Sequence, residues 1–138
     1  MRPPDFVIGE PDAPYMLRWY VIPKNRYFNI YLHKVLRDDD DRALHDHPWF
    51  NLSIILRGGY IEYLSDRRPK VRRPGQIIFR RPERAHRLAL RAGRPSWSLF
   101  LTGPHRRTWG FYCPKGWVPW KEFVDLREGG NKRGAGCP

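Results

Sequence analysis

The stretch Leu44-His45-Asp46-His47-Pro48-Trp49-Phe50-Asn51-Leu52-Ser53-Ile54-Ile55-Leu56-Arg57-Gly58-Gly59 decides how this chain is read. Side chains at i and i+2 of an extended strand project to one face. His45 and His47 therefore aim at a common point, and Asp46 is expected to face away. Imidazole is the commonest protein ligand for zinc, iron, copper and nickel. Asn51 keeps the parity of the two histidines and is expected beside them. The apolar run 52–56 reads as the body of the same strand, with Gly58-Gly59 as a hairpin turn after it.

Farther along, Pro74-Gly75 makes a second turn and opens the run Gln76-Ile77-Ile78-Phe79, with His86 eleven residues beyond Gly75. Two histidines, a polar residue and a closing glycine, followed later by a turn glycine and a third histidine, resemble the two motifs of the cupin superfamily. The match covers residues 45–90 directly. It departs from the family pattern at several places: Asp39 stands for the opening glycine of the first motif and Asn51 for its glutamate. In the second motif Arg81 replaces the proline, with Pro82 one place late, Glu83 replaces a glycine, and Leu90 the closing asparagine. The resemblance implies an all-β, single-domain, cupin-type double-stranded β-helix (a jelly-roll barrel) over residues 14–126. Residues 1–13 are expected as an N-terminal arm and residues 127–138 as a flexible tail.

Composition agrees with a small β domain. The chain has 138 residues, 41% hydrophobic and 14% aromatic, enough to pack one core, and its 14 prolines and 12 glycines favour many short turns. No segment keeps a helical period without a breaker, which excludes a long helix bundle. No apolar run reaches the roughly 18 residues of a membrane span, and the start lacks the apolar core of a secretory signal. Two cysteines, Cys113 and Cys137, make no disulfide framework. A reduced, cytoplasmic setting is the expectation.

The formal charge is +12, and residues 67–107 hold thirteen Lys or Arg against the single acid Glu83. Such a field attracts anions. It fits arginines decorating solvent faces, a small anionic substrate, or nucleic acid. Asp38 to Asp41 lacks the alternating ligands of a calcium loop and reads as a solvated acidic loop.

Strands are expected at 15–22, 26–36, 44–56, 60–65, 70–73, 77–80, 86–91, 96–102 and 108–112, with the segments at 77–80 and 86–91 forming a pair. Residues 117–126 finish the barrel or carry a short helix from Pro119. In the strand 26–36, Phe28, Ile30 and Leu32 share one face, and Tyr27, Asn29, Tyr31 and His33 the other.

By the resemblance, His45, His47 and His86 hold one divalent metal as a facial triad. Fe(II) is favoured, and Zn, Ni or Mn suit the same ligands. Asn51 is a weak ligand or sits behind the ligands. Three neutral histidines leave the ion's charge uncompensated, so an anionic chelating substrate and dioxygen can both bind, as in three-histidine Fe(II)-dependent dioxygenases. Arg80 and Arg84 are candidates to clamp the substrate's anionic group, and Trp97 and Trp109 are candidate pocket walls. His33 reads as a hydrogen-bonded core histidine and His105 as a rim residue. Cys113 reads as buried packing, or as a thiol near the metal if its face lines the lumen. The alternatives are a non-redox zinc or nickel isomerase, lyase or ligand sensor and, third, a basic nucleic-acid-binding module. Histidines that merely sit in a loop and on a strand are the plain alternative to the metal site. A homodimer through strand edges or exchanged arms is what the resemblance offers for assembly.

Overall fold

A computed structural model describes residues 2–38, 44–65, 68–120, 124–125 and 132–133. Alternation at period two sets the strands. In Ser96–Thr102 the even-numbered residues are buried, while Trp97, Leu99 and Leu101 lie half-buried on the opposite face. Asn29–Val35 alternates the same way, with Asn29, Tyr31, His33 and Val35 buried. The strands in chain order are β1 Phe6–Glu10, β2 Ala13–Tyr20, β3 Asn29–Val35, β4 Leu44–His45, β5 Asn51–Arg57, β6 Tyr60–Leu64 and β7 Lys70–Arg72. They continue as β8 Ile77–Arg80, β9 His86–Leu90, β10 Ser96–Thr102, β11 Gly110–Cys113, β12 Gly116–Pro119, β13 Val124–Asp125 and β14 Lys132–Arg133.

Two six-stranded antiparallel sheets result, ordered β1-β2-β3-β10-β5-β8 and β12-β11-β4-β9-β6-β7, with β13 and β14 as a separate pair. Chain-consecutive strands β3, β4, β5 and β6 alternate between the sheets, the winding of a jelly roll. This is the double-stranded β-helix expected. Among the described residues, no helix is long and apolar enough to cross a membrane.

Several local expectations give way to this winding. The expected metal strand 44–56 is two strands in different sheets, β4 and β5. The chain crosses between them at 46–50, where Pro48 has no N–H to give a ladder. The Pro48 carbonyl instead accepts from the backbone N–H of Arg106 and Arg107. Gly58-Gly59 is likewise a corner from one sheet to the other rather than a hairpin. Both residues have positive φ (80° and 72°), and a Cβ would run into the Pro95 carbonyl at Gly58 and the Arg72 carbonyl at Gly59. β8 and β9, expected as a pair, lie in opposite sheets: β8 pairs β5, and β9 lies between β4 and β6. Residues 6–10, expected within an arm, pair with β2 as β1. In the segment 127–138 only Lys132–Arg133 is described, and it pairs with Val124–Asp125. The acidic loop expected at 38–41 lies outside the described residues beyond Asp38, as do the expected helix or strand at 121–123 and Cys137.

The interior divides in two. An apolar floor is built from Ile55, Tyr60 and Ile78, with Leu88 packed against them. The other part is polar and aromatic, and it carries the site.

Candidate metal centre

Register alone brings two of the three histidines together. His45 on β4 is the direct cross-strand partner of His86 on β9. His47 lies just past β4, held by its backbone N–H to the Pro82 carbonyl at 2.9 Å. The ligand atoms of His45, His47 and His86 all lie within 4.8 Å of one another. The rings meet edge to face, with centroids 4.8–5.2 Å apart. Among the described residues this is the one group of His, Cys, Asp or Glu placed to hold a metal ion.

Behind the histidines stands a carboxylate that the sequence reading missed. Glu62, fully buried on β6, takes the Nδ1–H of His86 on Oε2 at 2.5 Å. The same oxygen accepts from Arg80 Nε at 2.7 Å, and Oε1 accepts from Arg72 Nε at 2.8 Å. Burial by itself would raise the Glu62 carboxyl. The hydrogen bond with His86 and the Arg80 charge outweigh it and hold the group well below the usual carboxylate range. His86 is pushed down to about 3, first by burial and then, against its bond to Glu62, by Arg80 and His45. His47 is driven well below 6.5 by burial and by the two neighbouring imidazoles. Both rings are therefore neutral near pH 7, with lone pairs free to ligate. With Nδ1 committed to Glu62, His86 is left with Nε2 as its ligating nitrogen. His47 Nδ1 is buried with no hydrogen-bond partner. An imidazole donor set containing an orphaned buried atom fits a divalent transition metal.

Arg80, expected to clamp substrate, is spent on the framework. It is 1% exposed and donates to Glu62, to Ser53 Oγ at 2.8 Å and to Tyr60 Oη at 2.8 Å. Burial works to lower its pKa, and the Tyr60 and Glu62 interactions reverse that. It also fixes Asn51. Arg80 Nη1 approaches Asn51 Oδ1 at 3.3 Å, and a guanidinium only donates. The amide oxygen is thereby assigned to Arg80, and Nδ2 is left buried without a partner. Asn51 thus keeps a donor, not a ligand oxygen, for the site, which favours a role behind the ligands.

Asp46, expected to face away from the two histidines, is no part of the ligand group and turns to β11 and β12 instead. It is fully buried, and its Oδ1 takes the Gly110 N–H at 2.7 Å. Its Oδ2 accepts from Trp117 Nε1 at 3.1 Å and pairs with Arg107 at 2.9 Å. It ties the loop bearing His47 to β11 and β12. The His-x-His rule of alternate faces holds only within a strand, and β4 ends at His45.

Of the expected pocket walls, Trp109 lies 6.2 Å from His45, edge-on, and stacks on Trp120. Trp97 does not line the interior. It pairs with Lys34 on the face opposite the buried serines of β10, and stacks on Trp19 at 5.7 Å. Arg84 lines an outer pocket of about 510 Å³ with Phe79, Arg81, Glu83 and Tyr112, apart from the histidines. Trp49 and Phe100, not singled out from sequence, flank His47 at 5.7 and 6.4 Å. Cys113 is disulfide-bonded, so it is neither a free thiol near the metal nor a reduced packing residue. Sequence spacing does not report which sulfurs meet in space.

His33 is the core histidine expected. It accepts Arg18 Nε on its Nε2 at 2.9 Å and stacks between Tyr31 and Phe100. Burial, then the Arg18 charge, holds its pKa well below 6.5. The unfolded chain therefore binds the extra proton below that value, and the stabilisation present above pH 6.5 is lost as pH falls. The slope is at most about 1.4 kcal/mol per pH unit for one group. Urea denaturation at pH 7.5 and 5.5 should show the loss, and His33→Gln should shrink it.

Comparison with known proteins bears on the fold. No protein-family model matches the chain, and no curated protein matches it by sequence. Solved structures do. A cupin-like protein from Thermotoga maritima superposes with a TM-score of 0.57 at 12% identity, over 75% of this chain and 79% of that one. The DMSP lyase DddQ from Ruegeria pomeroyi gives 0.52 at 18% identity, over 64% of this chain and 47% of the lyase. An Fe(II)-HppE complex gives 0.53 at 17% identity, over 68% and 52%. At these identities the likeness is one of fold: the chain has the cupin-type double-stranded β-helix.

Proposed function

We propose that this protein is a mononuclear metal-dependent cupin enzyme whose three histidines hold Fe(II), and that it oxidises a small anionic substrate with dioxygen. The observation that carries the reading is the convergence of three imidazoles from two segments on one point, with Glu62 fixing the ring of His86. A ferrous ion held there would supply coordination sites for a chelating substrate and for dioxygen, without a protein carboxylate to offset its charge. The chain's own residues do the rest. Glu62 keeps the Nδ1 proton on His86 and raises the basicity of the ligating nitrogen. Arg80 keeps Glu62 ionised and orients Asn51. Trp49, Phe100 and Trp109 surround the histidines with apolar rings that limit water. The net charge of +12 favours the approach of anions.

A second reading, a non-redox zinc or nickel lyase or isomerase, draws on the same donor set and on the fold shared with a lyase. Fold does not choose between them. Elemental analysis of protein purified without added metal, then anaerobic ferrous titration and oxygen-electrode assays against small carboxylates, decides. Stoichiometric iron with substrate-dependent oxygen uptake is expected. Tight zinc with no oxygen uptake under any ferrous loading would reject the dioxygenase and leave the second reading.

A further inference from the structure

Two arginines reach the inner face of the first sheet, and they are treated differently. Arg80 is neutralised by Glu62. Arg18 on β2 is the direct partner of His33, so its side chain shares the inward face of β3. Its guanidinium lies 4.3 Å from the centre of the Tyr31 ring and 5.9 Å from that of Phe6. Nε is spent on His33. Among the described residues no carboxylate pairs with it, and burial lowers its pKa from the usual arginine value. Arg18 is half-buried, and a cation partly withdrawn from water without a counter-charge costs free energy that a bound anion would recover. The rings and His33 hold the group in place, leaving the Nη1 and Nη2 fork unspent.

His33, which holds that fork, packs toward the metal centre. His33 stacks on Phe100 at 5.0 Å, and Phe100 in turn lies 6.4 Å from His47, so the Phe100 ring stands between His33 and His47. On the same inner face, Thr102 is the direct partner of both Asn29 and Asn51. Thr102 Oγ1 and Asn51 Nδ2 are both buried without a hydrogen-bond partner. Orphaned buried polar atoms mark a place where a polar molecule belongs. The interior thus offers a free cation on one side of Phe100 and free polar atoms by the histidines on the other.

We propose that Arg18 is the anion anchor of this site, its planar fork receiving a carboxylate of a small substrate whose other end reaches the three histidines. The inference deepens the metal-enzyme reading and rests on it for the substrate's second contact. A guanidinium fork matches a carboxylate two bonds at a time.

The test is calorimetric titration of the full chain, metal-free and metal-loaded, with succinate, with neutral succinamide and with inorganic phosphate. Succinate should bind most tightly, and succinamide about tenfold or more weakly, as expected for losing charge-assisted bonds. Arg18→Gln should weaken succinate by a similar factor without changing metal content, and Arg18→Lys should retain part of the affinity. Succinate should also protect Arg18 of the unmutated protein from phenylglyoxal, read by mass spectrometry, which keeps the test available if the glutamine variant does not fold. Absent succinate binding, affinity indifferent to Arg18, preference for phosphate, or no protection would each overturn the anchor. Arg18-dependent succinate binding in a protein that takes up no metal would keep the anchor and remove the metal reading. Metal uptake with succinate affinity indifferent to Arg18 would do the reverse.

Discussion

Glu62→Gln should destabilise the fold by about 3–5 kcal/mol and weaken metal binding by about 10–100-fold. Glu62 is the negative centre of a buried cluster that holds Arg80 at 2.7 Å and Arg72 at 2.8 Å and takes the His86 proton. A neutral amide leaves the Arg80 guanidinium, 1% exposed, without its counter-charge. His86 loses the charged acceptor that fixes its tautomer. Replacing both members of the pair by apolar residues, Glu62→Leu with Arg80→Met, should recover much of the stability and none of the metal affinity. Breaking one partner leaves a buried charge, whereas removing both does not. Because the Glu62 carboxyl is held below the usual carboxylate range, its contribution is present above about pH 4.5 and is withdrawn as pH falls below it. Urea midpoints and competition with a coloured chelator measure the two effects separately. A Glu62→Gln variant within 1 kcal/mol of the parent, with unchanged metal affinity, would sink the assignment of Glu62 as the keystone of the centre.

How much of this could be read in advance divides along a physical line. The three histidines and the barrel were legible, because ligand type and turn spacing leave a signature in local sequence. Glu62 was not singled out, though a signal existed. In Tyr60-Ile61-Glu62-Tyr63-Leu64 it shares parity with Tyr60 and Leu64, so a lone acid stands on the buried side of a strand. Arg80, at the parity of Ile78, is its counterpart. Each was visible as an oddity, and only the fold shows that they are partners. The single strand expected over 44–56 gave way for another reason. Alternation was extended past the end of β4, where the backbone leaves the sheet. The Gly58-Gly59 corner misled similarly: two glycines at positive φ serve a hairpin or a crossing between sheets equally well. The choice depends on which edges are already paired, and that is a property of the whole barrel. Arg18 was passed over because a single arginine in a strand gives no local hint that it faces inward without an acid.

Loss of the metal on truncating one ligand is the second large effect. His86→Ala should reduce bound metal from about one ion per chain to a trace, since two histidines alone fall short of the three or more protein ligands typical of such sites. The fold should survive. Removing the ring takes one partner from Glu62 but leaves both arginines on its oxygens, so the carboxylate stays paired. His86 is also a strand-end residue, and the ladder it joins through Leu64 continues along β9 to Leu90. His33→Gln is the matched control: it too removes a buried imidazole from the interior, yet His33 lies outside the ligand cluster, so metal content should not change. Elemental analysis of the three proteins, with circular dichroism to confirm the sheets, gives the answer. Full metal occupancy in the alanine variant, or equal loss in the control, would mean that the ion is held elsewhere or that the interior merely collapsed.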